Sequence, residues 1–119
     1  MVYKINPAAA VSTDFDHIFD HLLAAYLGMG DSVEQAYERA ASRLNAIAED
    51  LEKFALHPHQ GTLNNDLQPG LRHVTKERAI FYFWIDEENR TVNILAVFFG
   101  GQDHRHHMLE RLGKPTTNA

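Results

Sequence analysis

Two segments in the first half of the chain place apolar residues at helical spacing. In the first segment the apolar positions recur every three or four residues, at Phe15, Ile18, Phe19, Leu22, Leu23 and Tyr26. Ser12 or Thr13 is positioned to cap this helix at its N-terminus. Gly28-Met29-Gly30 then interrupts the pattern, because glycine is a poor helix former. The spacing therefore predicts one amphipathic helix that ends near residue 28.

The second segment continues the same spacing over about six turns. Its apolar positions are Val33, Ala36, Tyr37, Ala40, Leu44, Ile47, Leu51 and Phe54. Asp31 or Ser32 can cap this helix, and Ser32 and Gln35 have the spacing of a capping box, while His57-Pro58 ends the pattern. A lone helix cannot bury such a stripe, so we expect a helical hairpin whose two helices pack on each other and on a sheet.

The remaining elements are predicted to be strands and one short helix. They are a strand at residues 2–5, a loop over 57–70, strands at about 71–76, 79–86 and 91–99, a charged hairpin loop at 86–90 and a helix over about 103–112, with Gly113 as its C-cap. The last two strands are apolar on both faces, as covered central strands are. The order β-α-α-β-β-β-α predicts a single α+β domain over residues 1–119, in which the helical hairpin packs on a largely antiparallel four-stranded sheet.

The charge of the chain is unevenly distributed. Residues 1–56 hold four Lys and Arg against nine Asp and Glu, whereas residues 57–119 hold seven of each. An acidic total disfavours strong autonomous binding to nucleic acid, since phosphate contacts supply most of that affinity. The chain has no cysteine, so disulfides and thiolate metal sites are excluded. It also has neither a signal-peptide pattern nor an apolar run long enough for a membrane span, so we expect a cytoplasmic protein with no membrane contact.

Three cations, Arg72, Lys76 and Arg78, lie on or beside the strand that leads into the central hairpin. Cations at a sheet edge can hold phosphates and stabilise charge in phosphoryl transfer. They also keep edge strands soluble, and the sequence favours this second interpretation slightly.

The segment Asp103-His104-Arg105-His106-His107 follows Gly100, Gly101 and Gln102 at the end of a buried strand. His104 and His107 are three residues apart, so they share a face of the predicted helix. A histidine of near-neutral pKa can act as a general acid or base, or bind metal weakly, although two or three ligands within one helix seldom complete a metal site. A solvated helix start is an equally good interpretation.

Two further patterns are more typical of structure than of chemistry. His17 and His21 have the i, i+4 spacing of a zinc-chelating pair, but no third ligand is indicated, and a solvated helix face fits better. The aromatic residues of the two central strands can stack on bases, but their spacing favours core packing. Tyr82 and Trp84 are the exceptions that are able to reach a surface.

Four pieces of local sequence, in this order, resemble the RelE/ParE toxin superfamily over about residues 2–112. They are the helix ending Leu51-Glu52-Lys53-Phe54-Ala55-Leu56-His57-Pro58-His59-Gln60-Gly61, then Pro69-Gly70-Leu71-Arg72, then Ala79-Ile80-Phe81-Tyr82, and Val92-Asn93-Ile94-Leu95-Ala96-Val97 leading to Gly101-Gln102-Asp103. The helix ending is similar to that of ParE-like proteins.

The resemblance implies the toxin of a type II toxin–antitoxin, or plasmid stabilisation, system that inhibits growth and is neutralised by a cognate antitoxin. ParE-like members inhibit DNA gyrase by binding, whereas RelE-like members cut mRNA on the ribosome with basic residues plus a Tyr or His near the C-terminus. Ala79 stands where RelE-like proteins often carry an arginine, and the chain is acidic, so the ParE-like side is favoured.

The candidate residues divide between these activities. Arg72, Lys76, Arg78 and Arg105 are the candidates for phosphate or target binding, and His104 and His107 would transfer protons in the nuclease alternative. A degenerate member that has lost toxicity is a third possibility. No cofactor or metal is expected.

Overall fold

The computed structural model describes residues 2–100 and 103–113 and confirms the α+β class. Its elements are β1 (Lys4–Pro7), α1 (Ala9–Gly28), α2 (Val33–Lys53), β2 (Thr62–Leu63), β3 (Arg72–Lys76), β4 (Ala79–Asp86), β5 (Thr91–Phe99) and α3 (His104–Arg111). The strands form one sheet in the order β1-β5-β4-β3-β2. β1 runs parallel to β5, and the other neighbours are antiparallel. Gly101 and Gln102, which lie between the last strand and the histidine-rich segment, are outside the described residues.

The sheet has five strands rather than the four that the sequence predicted. The additional strand, β2, lies inside the predicted loop over 57–70 and pairs through Thr62 and Leu63 with β3. Gly61 precedes it with a φ of 86°, and a Cβ at this position would lie 2.4 Å from the carbonyl oxygen of His73. Glycine therefore allows the chain to approach β3 closely enough to pair, although the strand is too short to have its own hydrophobic pattern.

The second helix of the hairpin begins with the predicted cap, whereas the first does not. The Ser32 hydroxyl accepts a hydrogen bond from the Gln35 backbone, and the Gln35 side chain accepts one from the Ser32 backbone, which confirms the capping box. The predicted cap of α1 is wrong, because the helix starts at Ala9 with no side-chain cap. The Ala8 N–H instead bonds to the Ile94 carbonyl, so the end of β1 leads directly into the helix.

The larger core lies between the hairpin and one face of the sheet. Phe54, at the end of α2, packs edge-on against Phe81 and stacks on Phe83, with ring centroids 5.1 and 5.2 Å apart. The buried members of this core are Val11, Ile18, Leu22, Ala40, Ile47, Leu51, Phe54, Ala79, Phe81, Phe83, Val92, Ile94, Val97 and Phe99. The members from β4 and β5 reach this core because side chains alternate along a strand, so every second one faces the helices.

The opposite face of the sheet is covered by α3 and by the loop before β3. Its buried members are Leu67, Leu71, Ile80, Tyr82, Ala96 and Met108. Leu109 and Leu112 are partly buried against them. None of the helices in the described ranges has the length and apolar character that crossing a membrane requires.

Candidate functional site on the face covered by the C-terminal helix

Two of the predicted target-binding cations, Arg72 and Lys76, lie on the helix side of the sheet. Val74 between them packs into the larger core, and alternation along β3 places both cations on the same side as Val74. The Lys76 ammonium lies 6.0 Å from the centroid of the Phe54 ring. These two cations therefore border the core of the hairpin and are separated by the sheet from α3.

Arg78 lies in the turn between β3 and β4, where Glu77 and Arg78 have φ values of 46° and 75°. Its guanidinium is 5.6 Å from the centroid of the Phe99 ring, and that of Arg43 is 5.7 Å from the same ring. Arg43 also donates to the Glu77 carboxylate over 2.8 Å. The turn thus forms a small cationic corner in which one of the two charges is already paired.

On the other face, Tyr82, His104 and His73 form a cluster of three rings. The Tyr82 hydroxyl and His104 Nδ1 are 2.8 Å apart, and the His73 ring centroid lies 5.3 Å from that of Tyr82 and 5.4 Å from that of His104. His73 Nδ1 is 2.6 Å from the side-chain oxygen of Asn64, which is itself buried. We call Tyr82, His104, His73 and Asn64 the ring cluster.

Burial changes the acid–base behaviour of two members of the ring cluster. It raises the pKa of Tyr82, and it lowers the pKa of His73, with a further lowering by the nearby His104. Both shifts follow from the cost of placing charge in a poorly solvated environment. At neutral pH the phenol and the His73 imidazole are therefore uncharged, and their hydrogen bonds connect α3 and the 64–71 loop to the sheet.

The other polar residues of α3 contact groups outside the ring cluster, although the charge of Arg105 is near enough to act on Tyr82. Arg105 forms a salt bridge with Asp66 in the covering loop, and this arginine lowers the pKa of the Asp66 carboxyl. The His107 ring lies 5.6 Å from Phe98, and its neighbour His106 pairs with Glu110. The structure therefore brings His104 to Tyr82 but directs His107 toward the edge of β5.

That edge of β5 is where β1 ends. β1 pairs with β5 only as far as Ile94, and a register shift between β4 and β5 leaves Leu95 without a partner residue. Arg111 of α3 donates to the Leu95 carbonyl over 2.9 Å, and Asp14 of α1 accepts from the Val97 N–H over 3.0 Å. Side chains thus satisfy backbone groups that a neighbouring strand would otherwise bind.

Asp14 and Arg111 also bind each other, at 2.7 Å between the carboxylate and the guanidinium. Asp14 is 5% exposed and the Arg111 side chain 29% exposed, so the pair is largely removed from water. A buried carboxylate is stable only when it is paired and hydrogen-bonded. We call this pair with its two backbone contacts the Asp14–Arg111 clamp, which joins both helical layers to β5.

A groove of about 600 Å³ runs beside the clamp along the edge of β5. Its walls are formed by α1 and α3 and include His17, His21 and His107. The predicted pair on α1 thus faces the same groove as a histidine of α3. No group of three or more His, Asp or Glu within the described ranges is arranged to hold a metal ion.

In this arrangement the candidate groups are divided between the two faces of the sheet. General acid–base catalysis needs proton-transfer groups within hydrogen-bond reach of a substrate, and phosphoryl transfer needs cations that converge on it. The Tyr82 hydroxyl is buried and already bonded to His104, while Arg72 and Lys76 lie across the sheet from Arg105. The assignment of these residues to target binding, and of His104 and His107 to proton transfer, stays a prediction.

Sequence reasoning did not identify the Asp14–Arg111 clamp or the role of His73. Asp14 had a usable signal, since it lies three residues after Val11 and four before Ile18, both inward positions of α1. A carboxylate at such a position must find a partner in the folded chain. No local signal identifies that partner, because Arg111 is 97 residues away.

The sequence matches no protein family profile and no curated protein, but the structure matches solved structures. A chain of the chromosomal ParDE TA system from P. aeruginosa has a TM-score of 0.64 at 19% identity, covering 82% of this chain and 96% of that one. A chain of the toxin–antitoxin complex RelBE2 from Mycobacterium tuberculosis has a TM-score of 0.47 at 17% identity, covering 84% and 100%. The first match shows that this chain shares its fold with a chain of a ParDE system, in agreement with the resemblance in the sequence.

Proposed function

We propose that this chain is the toxin of a type II toxin–antitoxin system, of the ParE-like kind, and that a cognate antitoxin neutralises it. Its target in this proposal is DNA gyrase, which it inhibits by binding. The observation that carries the proposal is the shared fold with a chain of a ParDE system, over 82% of this chain. The local sequence similarities quoted above support the same assignment.

The pairing and the positions of the candidate residues support binding rather than RNA cleavage. Arg105 is paired with Asp66, and His104 is bonded to a buried phenol. The remaining cations are divided between the turn at Arg78 and the helix side of the sheet. A ribosome-dependent nuclease needs such groups on one accessible surface, because it must hold phosphates and move protons at the same bond.

The alternative is a RelE-like endoribonuclease that acts on mRNA at the ribosome. One contact favours it, namely the hydrogen bond of 2.8 Å between Tyr82 and His104 beside Arg105. Opening of α3 would then expose an acid–base pair next to a cation. A degenerate member without toxicity is the third candidate.

The three candidates differ in what they do to a bacterial cell. The chain is expressed from an inducible promoter while growth, global translation and the DNA-damage response are followed together. The proposal expects growth arrest with a damage response while translation continues. Arrest in which translation fails first would favour the nuclease, and unchanged growth with folded protein present would favour the degenerate member. Coexpression with a small protein encoded beside the gene tests for the antitoxin.

Histidine substitution separates binding from cleavage in the same assay. We expect His107→Ala to keep the growth arrest, because its ring lies beside those of Phe98 and His106 and takes no part in the ring cluster. His104→Ala is the companion variant, and its circular dichroism must match that of the parent before its effect is interpreted. Loss of arrest in either folded variant would contradict the binding proposal.

A further inference from the structure

The groove along the edge of β5 collects histidines that the rest of the fold leaves unbonded. Of the eight histidines of the chain, four have a ring nitrogen in a hydrogen bond or an ion pair, namely His59, His73, His104 and His106. Three of the other four, His17, His21 and His107, line this groove, which we call the histidine groove. None of these three imidazoles forms a hydrogen bond or an ion pair with another described residue. Their ring nitrogens are therefore free to bind a ligand.

The histidine groove combines an aromatic floor with imidazoles on two walls. The His21 ring of α1 lies 6.0 Å from the Phe99 ring, and the His107 ring of α3 lies 5.6 Å from the Phe98 ring, measured between centroids. His17 lies one helical turn before His21 on the same wall. The volume of about 600 Å³ is in the range of small-molecule sites, which pair apolar surface with a few polar groups. An occupant can thus lay an apolar body on the two phenylalanines and reach imidazoles from both helices.

The charge of the histidine groove depends on whether its imidazoles are protonated. Its other charged residues within the described ranges are Asp14, Glu110 and Arg111, two negative and one positive, so with neutral imidazoles the lining carries −1. Protonation of the three imidazoles adds three positive charges and brings the lining to +2. Histidine is the side chain that ordinarily changes charge between about pH 5 and 8. The groove therefore changes from repelling anions to attracting them as the pH falls through this range.

Both carboxylates of the histidine groove already have partners. Asp14 is held by Arg111 in the clamp. Glu110 pairs with His106, whose ring centroid lies 6.1 Å from that of His107. Because these carboxylates are engaged, the positive charge that protonation adds to the three free imidazoles remains available to an anionic ligand.

Two arginines add positive charge at the Phe99 end of the groove. The guanidinium groups of Arg43 and Arg78 lie 5.7 and 5.6 Å from the centroid of the Phe99 ring, on which His21 also lies. Arg43 is paired with Glu77, whereas Arg78 forms no ion pair with another residue in the described ranges. The potential at this end is therefore the more favourable to an anion.

We propose that the histidine groove binds a small organic carboxylate, and that protonation of its three imidazoles switches this binding on. The apolar body of the ligand lies on the two phenylalanines, and its carboxylate accepts hydrogen bonds from imidazolium N–H groups. A carboxylate suits the groove better than a dianionic phosphate, because Asp14 and Glu110 repel a second negative charge. The inference is independent of the toxin assignment, since it rests only on the lining of this groove.

The test measures the binding of benzoate to the full labelled chain by NMR titration at about pH 6 and about pH 8, with EDTA present. Benzoate keeps its charge over this range, since carboxyl groups ionise near pH 4, so a change in affinity reports on the protein. Benzyl alcohol presents the ring without the charge, and acetate presents the charge without the ring. We expect benzoate to shift Phe98, Phe99 and His21, and to bind at least about fivefold more tightly at the lower pH. At that pH it should bind at least about fivefold more tightly than either analogue.

Two variants and a matched control locate the effect. His17→Gln and His107→Gln each remove one titratable ring from α1 or α3 and keep a polar side chain at the position. Each should weaken benzoate at least about threefold at the lower pH and reduce the difference between the two pH values. His57→Gln, at an exposed position outside the groove, should change neither. The amide spectrum of each free protein shows that it is folded at both pH values.

Four results would overturn the proposal. The first is equal affinity for benzoate at both pH values, and the second is an affinity for benzyl alcohol or acetate that matches that for benzoate. The third is an equal loss in His57→Gln, because the effect would then come from the net charge of the chain. The fourth is binding of benzoate that occurs only when EDTA is left out, which would assign the contact to a metal ion.

Discussion

The two faces of the sheet are held together by different chemistry. On the helix side the buried apolar core has fourteen residues, with the Phe54 ring between Phe81 and Phe83. On the α3 side the buried apolar core has six residues, and much of the attachment is polar, through Tyr82, His104 and Arg105. These counts refer to the described ranges. Apolar contacts are many and undirected, whereas a few hydrogen bonds depend on geometry, solvent and pH.

This difference indicates that the helix side sets global stability and that α3 is the layer most easily released. Local unfolding occurs most readily in the elements that have the fewest buried apolar contacts. Of the residues within α3 itself, only Met108 is fully buried. Any activity that requires access to the ring cluster would therefore depend on how firmly α3 is held. The four predictions below test this contrast.

Phe54→Ala should cause the largest loss. The ring is fully buried between two aromatic neighbours, so its removal leaves a large cavity in the helix-side core. We expect the free energy of unfolding to fall by about 3–5 kcal/mol, a large part of the total for a domain of this size. Urea denaturation measures the change. Leu56→Ala, at an exposed site two residues away, is the control with an expected change within about 0.5 kcal/mol. A loss of about 1 kcal/mol or less for Phe54→Ala would contradict the inference that the helix side of the sheet sets global stability.

Asp14→Asn should have the next largest effect, because it breaks the Asp14–Arg111 clamp. The variant keeps the size of the side chain but leaves the Arg111 guanidinium without its counter-charge at a largely desolvated position. Removal of one member of a fully buried pair costs about 3–5 kcal/mol, and since Arg111 is partly exposed we expect about 2 kcal/mol.

A double-mutant cycle shows whether the cost of Asp14→Asn belongs to the clamp. Asp14→Asn and Arg111→Met are combined and followed by urea denaturation and by hydrogen exchange of the α3 amides. The pair should show a coupling energy of about 1–2 kcal/mol, and α3 should exchange faster in both single variants. Additive effects of the two substitutions would show that the clamp does not hold α3.

The elements that the sequence predicted correctly are those fixed by neighbouring residues. The capping box at Ser32 and Gln35 and the two apolar central strands follow from local spacing, and the structure has each of them. β2 could not be predicted in this way, because two residues carry no hydrophobic period and pair with β3 only where Gly61 lets the backbone approach.

The contacts of the candidate site were less predictable for the same reason. Tyr82 was expected to reach a surface if the helices left it uncovered, and instead α3 covers it, so that its hydroxyl meets His104, 22 residues away. The segment with His104 was identified because a chain turn after a buried strand often presents polar groups. Which groups those side chains meet depends on how α3 folds back on the sheet, and local spacing does not determine this.

Tyr82→Phe should have a smaller effect that is confined to the α3 side. It removes the hydroxyl that bonds His104 and leaves the packing of the ring unchanged, so we expect a loss of about 1 kcal/mol. Tyr37→Phe is the matched control, because that tyrosine is 58% exposed. Urea denaturation gives the magnitude, and hydrogen exchange should show faster exchange in α3 only. Equal effects of both substitutions would mean that the hydrogen bond adds no stability.

The smallest expected effect is a dependence of stability on pH that comes from His73. Burial lowers the pKa of His73 in the folded chain below the ordinary value of 6.5. Between the pKa of His73 in the folded chain and its pKa in the unfolded chain, the unfolded chain binds more protons. The free energy of unfolding therefore rises with pH through this range. The stability that the neutral imidazole contributes is lost as the pH falls from 6.5 toward the pKa of the folded chain.

His73→Gln should therefore flatten the pH dependence of stability just below pH 6.5. His57→Gln, at an exposed position after α2, is the matched control that should leave the dependence as it is in the parent. Urea denaturation at closely spaced pH values from about 5.5 to 7 measures both, in a range where most carboxyl groups are already ionised. If the free energy of unfolding depends on pH in the same way for His73→Gln and the parent, protonation of His73 does not destabilise the folded chain. The α3 side would then add no pH dependence of its own to the stability in this range.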